Sequence, residues 1–273
     1  MMHSFKVEEV LFSGSSRHQQ IDIVKTAALG NMLLNDGIIM LSEKDEFIYH
    51  EMISHPALFV HPDPKNVLII GGGDGGTARE VLKHRNVQHA VMVEIDELVV
   101  EVSRKYLPSI SCALDDTRLK LVIDDGVKFV SGSKEKFDLI IIDSTDPVGP
   151  AAPLFDKAFY GNVSKILTDD GIMITQAESP FYDVDIQKLM FGNQRPFFKN
   201  LHMYLFSTFT YPGGLWSFGF ASKQYCPVKD INTGKIGASG IQTRYYNPQI
   251  HQAAFRLPNF IKENLSEVID DIE

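Results

Sequence analysis

The sequence predicts an α/β protein, a doubly wound and mostly parallel sheet preceded by a small antiparallel β unit. From Asn66 onward, apolar runs alternate with helix-forming segments, the pattern of parallel strand–helix units. The first run, Val67–Ile70, has no polar alternation, as suits a strand covered on both faces. It enters the turn Gly71-Gly-Gly-Asp-Gly-Gly76, which leads into a helix. Upstream, short β-branched stretches flank Asn35-Asp-Gly37, a hairpin signal.

Taken in order, strands are expected at Lys6–Phe12, Gln19–Lys25, Met32–Leu34 and Ile38–Leu41. Asp45–Phe59 opens on an N-cap type residue and carries apolar positions at helical spacing. The proline-rich His61-Pro-Asp-Pro64 marks a boundary, giving residues 1–60 as an N-terminal β domain with its linking helix and 61–273 as the α/β domain. Within the latter, strands fall at 67–70, 90–93, 119–122, 137–142 and 171–176. Helices fall near 76–84, 97–106, 126–131, 157–167 and 184–192. Two β-rich stretches, 202–209 and 216–222, make an antiparallel pair at one edge. Residues 229–240 read as a mobile surface loop, the tail from Pro248 as short helices, and Glu263 onward as frayed.

A chain of 273 residues with 44% hydrophobic content holds one large domain, or a domain with an appendage. No apolar run is long enough to span a bilayer, so no membrane association is expected. Cys112 and Cys226 lack metal or redox spacing and read as free thiols of a cytoplasmic protein. The scattered histidines give no metal-ligand spacing. A net charge of −9 argues against nucleic acid and fits cationic ligands.

Sheets of this kind bind ligands beyond the carboxyl ends of their strands, where strand order reverses. Carboxylates occupy those ends throughout: Asp74, then Glu94 and Asp96, then Asp124 and Asp125, then Asp143 and Asp146. One such acid is as often a helix N-cap as a ligand, and Asp125 can be read either way. For the whole set the capping explanation is poor, because mutual repulsion calls for a cationic ligand. Asp74 carries the sharpest signal, since a carboxylate inside a glycine turn repels phosphate and attracts a cation. Glu94 stands where nucleoside-binding α/β folds place an acid on the ribose hydroxyls. Asp125 is placed to accept from an adenine amino group, with Gly126 allowing close approach. Asp143 directly follows the buried run Leu139–Ile142, and Pro147 and Pro150 stiffen the loop that holds Asp146. Taken alone, His50, Tyr49 and Tyr211 are more often packing residues, and Trp216 reads as core or a cleft wall. Glu178 holds a rim position without an assigned role.

The residues Asp45-Glu-Phe-Ile-Tyr-His-Glu-Met52, Gly71–Gly76, Val93-Glu-Ile-Asp96, Asp124-Asp-Gly126, Asp143–Pro150, Thr210-Tyr-Pro-Gly-Gly214 and Tyr245-Tyr-Asn-Pro248 together match one family. By them the chain resembles the bacterial spermidine synthases, the putrescine aminopropyltransferases, over nearly its whole length. The resemblance implies a small β domain on a methyltransferase-like Rossmann domain, and a homodimer or homotetramer. It implies decarboxylated S-adenosylmethionine as co-substrate, no prosthetic group, and putrescine as acceptor, with spermidine and 5′-methylthioadenosine as products. Asp74 would hold the aminopropyl ammonium and Glu94 the ribose. Asp125 and Gly126 would take the adenine, with Gln19 and Pro150 as further nucleoside contacts. Tyr49, His50, Asp146 and Tyr211 would line the polyamine channel, and Asp143 would be the catalytic base.

Two other readings share the fold. An S-adenosylmethionine methyltransferase would set Asp74 against the amino-acid carboxylate. An NAD-dependent oxidoreductase fits Gly71-x-Gly73-x-x-Gly76 formally but would set Asp74 beside a pyrophosphate.

Overall fold

The computed structural model describes residues 4–145 and 149–272, with side chains at 149 and 150 left out. In chain order come β1 (Val7–Ser15), β2 (Gln20–Thr26), β3 (Gly30–Asn35), β4 (Ile38–Ser42) and α1 (Glu46–Val60). Next are β5 (Asn66–Gly71), α2 (Gly76–Leu82), β6 (His89–Glu94), α3 (Glu97–Tyr106), α4 (Pro108–Ser111), β7 (Leu119–Ile123) and α5 (Gly126–Gly132). Then β8 (Phe137–Asp143) leads through a 3₁₀ segment (Gly149–Phe155) to α6 (Lys157–Ile166), β9 (Leu167–Gln176) and α7 (Val184–Gln194). The chain closes with β10 (Asn200–Ser207), β11 (Leu215–Ser222), α8 (Thr233–Ser239), α9 (Pro248–Ala254) and α10 (Asn259–Leu265).

The first four strands form an antiparallel meander. Its tight β3–β4 turn puts Asp36 and Gly37 at φ 50° and 78°, the left-handed geometry that an Asp-Gly pair tolerates. Ile21, Ile23, Leu33 and Leu41 of this sheet pack on Val99, Val102, Leu107 and Ile110, so the meander is seated on α3 and α4.

The larger sheet runs β10-β11-β9-β8-β5-β6-β7. Strands β9 through β7 are parallel, and β10 and β11 are the antiparallel edge pair. Pleating sends alternate residues to opposite faces. Val67, Ile69, Leu139 and Ile141 join α1 and α2 on one side, while Leu68, Ile70, Ile140 and Ile142 join α6 and α7 on the other. Strand order reverses between β5 and β8, where Gly71 pairs with Asp143. The crevice rule therefore places the ligand at the ends of these two strands.

Two stretches differ from expectation. The supposed mobile loop at 229–240 contains α8, capped by Asn232 Oδ1, which accepts from the Lys235 amide. Lys235 Nζ then donates to the carbonyls of Leu58, His61 and Pro62, so it caps the end of α1 and ties the segment down. The tail beyond Glu263 is docked, not frayed. Asp270 accepts from the Leu201 amide at 2.8 Å and from Arg195 at 2.9 Å, and Ile269 and Ile272 are buried.

Candidate active site

The glycine turn is the floor of the site. Gly72 N–H donates to the Asp143 carbonyl at 3.0 Å, closing the turn over β8. A Cβ on Gly76 would meet the His50 ring at 2.3 Å, so α1 approaches α2 only because no side chain stands there. A Cβ on Gly126 would meet Ile70 Cγ2 at 2.5 Å, so the space this glycine leaves is filled by the protein's own core.

Asp143 ends β8 and is held at both oxygens. Tyr49 donates its hydroxyl to Oδ1 at 2.6 Å, and Thr77 donates to Oδ2 at 2.6 Å. Burial and the neighbouring Asp74 raise its pKa above the ordinary carboxylate value, against the pull of His50, Thr77 and Tyr49. A carboxyl so placed has more affinity for a proton than one in water, as a general base requires.

Asp74 shows the opposite balance. Burial works to raise it, but His50 and the Gly76 amide outweigh that and hold it low. His50 Nε2 lies 3.2 Å from Asp74 Oδ1, and the Gly76 amide donates to the same oxygen at 2.7 Å. The other ring nitrogen of His50 meets Glu46 Oε2 at 2.5 Å. Burial alone would lower the pKa of His50, yet Asp74 and Glu46 push it up to about 10. His50 therefore bears on a ligand through Asp74, since both of its nitrogens are engaged.

Glu94 ends β6 and is 8% exposed, with Oε1 accepting from the Asp96 amide at 2.8 Å. Burial, aided by Asp96, pushes its pKa up to about 7 despite backbone donors at Asp96, Ile95 and Gly73. Asp96 caps α3 with one oxygen and takes Gln19 Nε2 (3.0 Å) and the Ser16 hydroxyl (2.7 Å) on the other. Gln19 is thereby turned to the β6 rim, whereas Gln20 bonds Ser13, Ser15 and Asp22 within the small sheet. A cavity of ≈ 350 Å³ opens here, lined by residues that include Ser16, His18, Ile95, Asp96 and Ile123.

Asp125 is exposed and its Oδ1 caps α5 through the Val127 and Lys128 amides. The capping alternative is thus realised, and its other oxygen is the one available to a ligand. Tyr211 stacks edge-on with Tyr49 and Trp216, with centroids 6.1 and 4.9 Å away, but gives its hydroxyl proton to the Met40 carbonyl. It can only accept from an amine. Asp146 lies outside the described residues, as does the side chain of Pro150.

Three participants escaped the sequence reading. Thr77 sits in the first helical turn after the glycine loop, a position that faces the strand ends. Glu46 stands four residues before His50 on one helix, a spacing that brings side chains together. Asp45 occupies the N-cap position of α1 without capping it; its carboxylate instead gathers the hydroxyls of Ser42, Thr208 and Thr210 and the amides of Phe209 and Thr210. It thereby anchors the loop that carries Tyr211. Among the described residues no group of three metal-ligating side chains occurs, and no helix is long and apolar enough to cross a membrane.

Fold and site together define an enzyme of the doubly wound class with an acid-lined crevice where strand order reverses. The chain belongs to the spermine/spermidine synthase family: residues 46–231 match the spermine/spermidine synthase domain, and residues 1–43 match the spermidine synthase tetramerisation domain. It is 49% identical over 258 residues to a polyamine aminopropyltransferase of Caldicellulosiruptor saccharolyticus, covering 94% of this chain and 92% of that one. A polyamine aminopropyltransferase of Methanocaldococcus jannaschii is 44% identical over 270 residues, covering 98% and 92%. Among solved structures, a spermidine synthase in complex with the transition state analogue AdoDATO superposes with a TM-score of 0.94 at 46% identity, covering 96% of this chain and 90% of that one. The spermidine synthase of Thermotoga maritima gives 0.93 at 46% identity, covering 96% and 89%. This membership sets aside both the methyltransferase and the oxidoreductase readings.

Proposed function

We propose that this enzyme transfers the aminopropyl group of decarboxylated S-adenosylmethionine to putrescine, giving spermidine and 5′-methylthioadenosine. The observation that carries it is the pair Asp74 and Asp143, set together at the β5–β8 switch point and partnered by His50, Tyr49 and Thr77, with no arginine bonded to either carboxylate among the described residues.

The amine nitrogen attacks the methylene carbon bonded to sulfur. An N–C bond forms as the S–C bond breaks, and sulfur leaves as a neutral thioether with the electron pair. No acid is needed for that departure. An alkyl ammonium has a pKa near ~10, so attack requires a proton to be removed. Asp143 takes it, and such a base contributes roughly 10²–10⁴-fold. Tyr49 and Thr77 each donate to one Asp143 oxygen and leave the remaining acceptor positions to the amine. Asp74 holds the ammonium of the aminopropyl group. Glu94 accepts from the ribose hydroxyls, Asp125 and Gly126 meet the adenine, and Gln19 and Pro150 complete the nucleoside pocket. Asp146, Tyr49 and Tyr211 line the amine channel, with His50 acting behind Asp74. Holding amine, carbon and sulfur in line supplies the positional share of the rate.

Residues 1–60 serve as assembly domain and linking helix for a homodimer or homotetramer, and 61–273 as the catalytic domain. The free thiols of Cys112 and Cys226 support a cytoplasmic setting. The test is incubation with decarboxylated S-adenosylmethionine and a diamine panel. Release of methylthioadenosine, fastest with putrescine, is expected; turnover with S-adenosylmethionine alone and methyl transfer as the product would refute it.

A further inference from the structure

Glu46 and Arg79 touch no reacting group in the steps derived above, yet they continue the site. Outward from Asp74, His50 spans to Glu46, whose two oxygens take Arg79 Nη1 and Nη2 at 3.1 and 2.8 Å. Arg79 Nε reaches Glu80 at 2.9 Å, and Lys83 closes the row on Glu80 at 2.6 Å. The charges alternate in sign from the reacting centre to the surface. His50 is 2% exposed and Glu46 9%, so the arrangement is screened little by water.

A neutral imidazole has one N–H and one lone pair. His50 faces a carboxylate at each nitrogen, so a neutral ring would set its lone pair against one of them. Only the doubly protonated ring satisfies both. The bidentate Arg79 clamp fixes Glu46 where it demands that second proton. At the far end, the His50 and Gly76 donors both fall on Asp74 Oδ1, which leaves Oδ2 as the oxygen that a ligand can take.

We propose that Glu46, clamped by Arg79, is a positioning residue for the transfer: it keeps His50 donating from both nitrogens and so aims Asp74 Oδ2 at the primary ammonium of the donor. This rests on the aminopropyl reading of the site. The groups facing His50 are Glu46 and Tyr49 from its own helix, Asp74 from the glycine turn, Arg79 from α2 through Glu46, and Asp143 from β8.

The test combines spectroscopy with kinetics on the full chain. In ¹⁵N-histidine NMR of the wild-type protein at about pH 8, His50 is expected with both nitrogens protonated. In Glu46→Gln it should lose its second proton at lower pH than in the wild type, and kcat/KM for the donor, taken as a ratio to the wild type at each pH, should fall about tenfold per pH unit above that point. In a His50→Gln background the amide donates to Asp74 without a titrating proton, so adding Glu46→Gln should bring no further pH dependence. A merely structural Glu46 would lower Tm and leave the shape of the pH profile unchanged, and that result overturns the proposal. A neutral His50 in the wild-type spectrum also overturns it, and that spectrum decides the matter if Glu46→Gln does not fold. Absence of methylthioadenosine release by the wild type would instead sink the aminopropyl reading, with the spectrum still judging the chain of charges.

Discussion

Replacing Glu94 with Gln isolates one buried carboxyl whose ionisation opposes folding. The native protein holds this proton up to about pH 7, whereas an unfolded chain releases it near 4.5. The sign follows from linkage: with the folded value raised, the contribution is fully present below 4.5 and is lost as pH rises through 7. The size is roughly 3 kcal/mol, taking 1.36 kcal/mol per pKa unit. Because Glu94 is 8% exposed, little of this is screened away. Gln cannot ionise, and its amide has to turn one end toward the backbone donors at Asp96 and Gly73, a cost independent of pH. The difference in stability between variant and wild type should therefore climb by about 3 kcal/mol from pH 4 to pH 8, or about 6–12 °C in Tm for a chain of this size. Thermal denaturation followed at half-unit pH intervals reads this directly. Methylthioadenosine should meanwhile bind the wild type more tightly above pH 7, where the ionised carboxylate accepts from both ribose hydroxyls, and the variant should lose that dependence. Parallel Tm curves for the two proteins would refute the burial argument.

Asp74→Asn removes the charge proposed to face the donor ammonium, so the preference for decarboxylated over intact S-adenosylmethionine should shrink at least ~10-fold; calorimetry with both ligands checks it, and an unchanged ratio contradicts it. Tyr49→Phe deletes the 2.6 Å hydrogen bond to Asp143, which should cost about 1.5–3 kcal/mol of transition-state stabilisation and move the acid limb of the kcat/KM profile to higher pH. An unmoved limb would mean that Tyr49 does not tune the base. Asp45→Asn should raise KM for the diamine while leaving methylthioadenosine affinity unchanged, because the loop it anchors carries Tyr211; equal losses in both, measured by steady-state kinetics and calorimetry, would reduce Asp45 to a folding residue.

The large sheet was legible because its strands are doubly covered. Val67–Ile70 and Leu139–Ile142 admit no polar residue, and an acid directly after such a run has nowhere to sit but the rim. Glu94 and Asp143 read as rim acids for that reason, and Asp74 as a carboxylate interrupting a glycine turn. What the sequence concealed depends on distant partners. Nothing near Asp45 announces that its carboxylate reaches Thr208 and Thr210, and local chemistry alone made it an N-cap. Arg79 reads as an ordinary surface cation of a short helix until α1 is laid against it. The acidic tail from Glu263 reads as frayed by composition, but Asp270 and Ile272 find partners on Leu201 and Arg256. Lys235, in a stretch rich in Gly, Lys and Asn, anchors to carbonyls that exist only at the end of a folded α1.

Single-turnover transfer by Asp143→Asn bears most directly on the central claim. With saturating decarboxylated S-adenosylmethionine and putrescine, the variant should bind methylthioadenosine about as the wild type does and transfer roughly 10²–10⁴-fold more slowly. Transfer at the wild-type rate would show that the proton goes elsewhere.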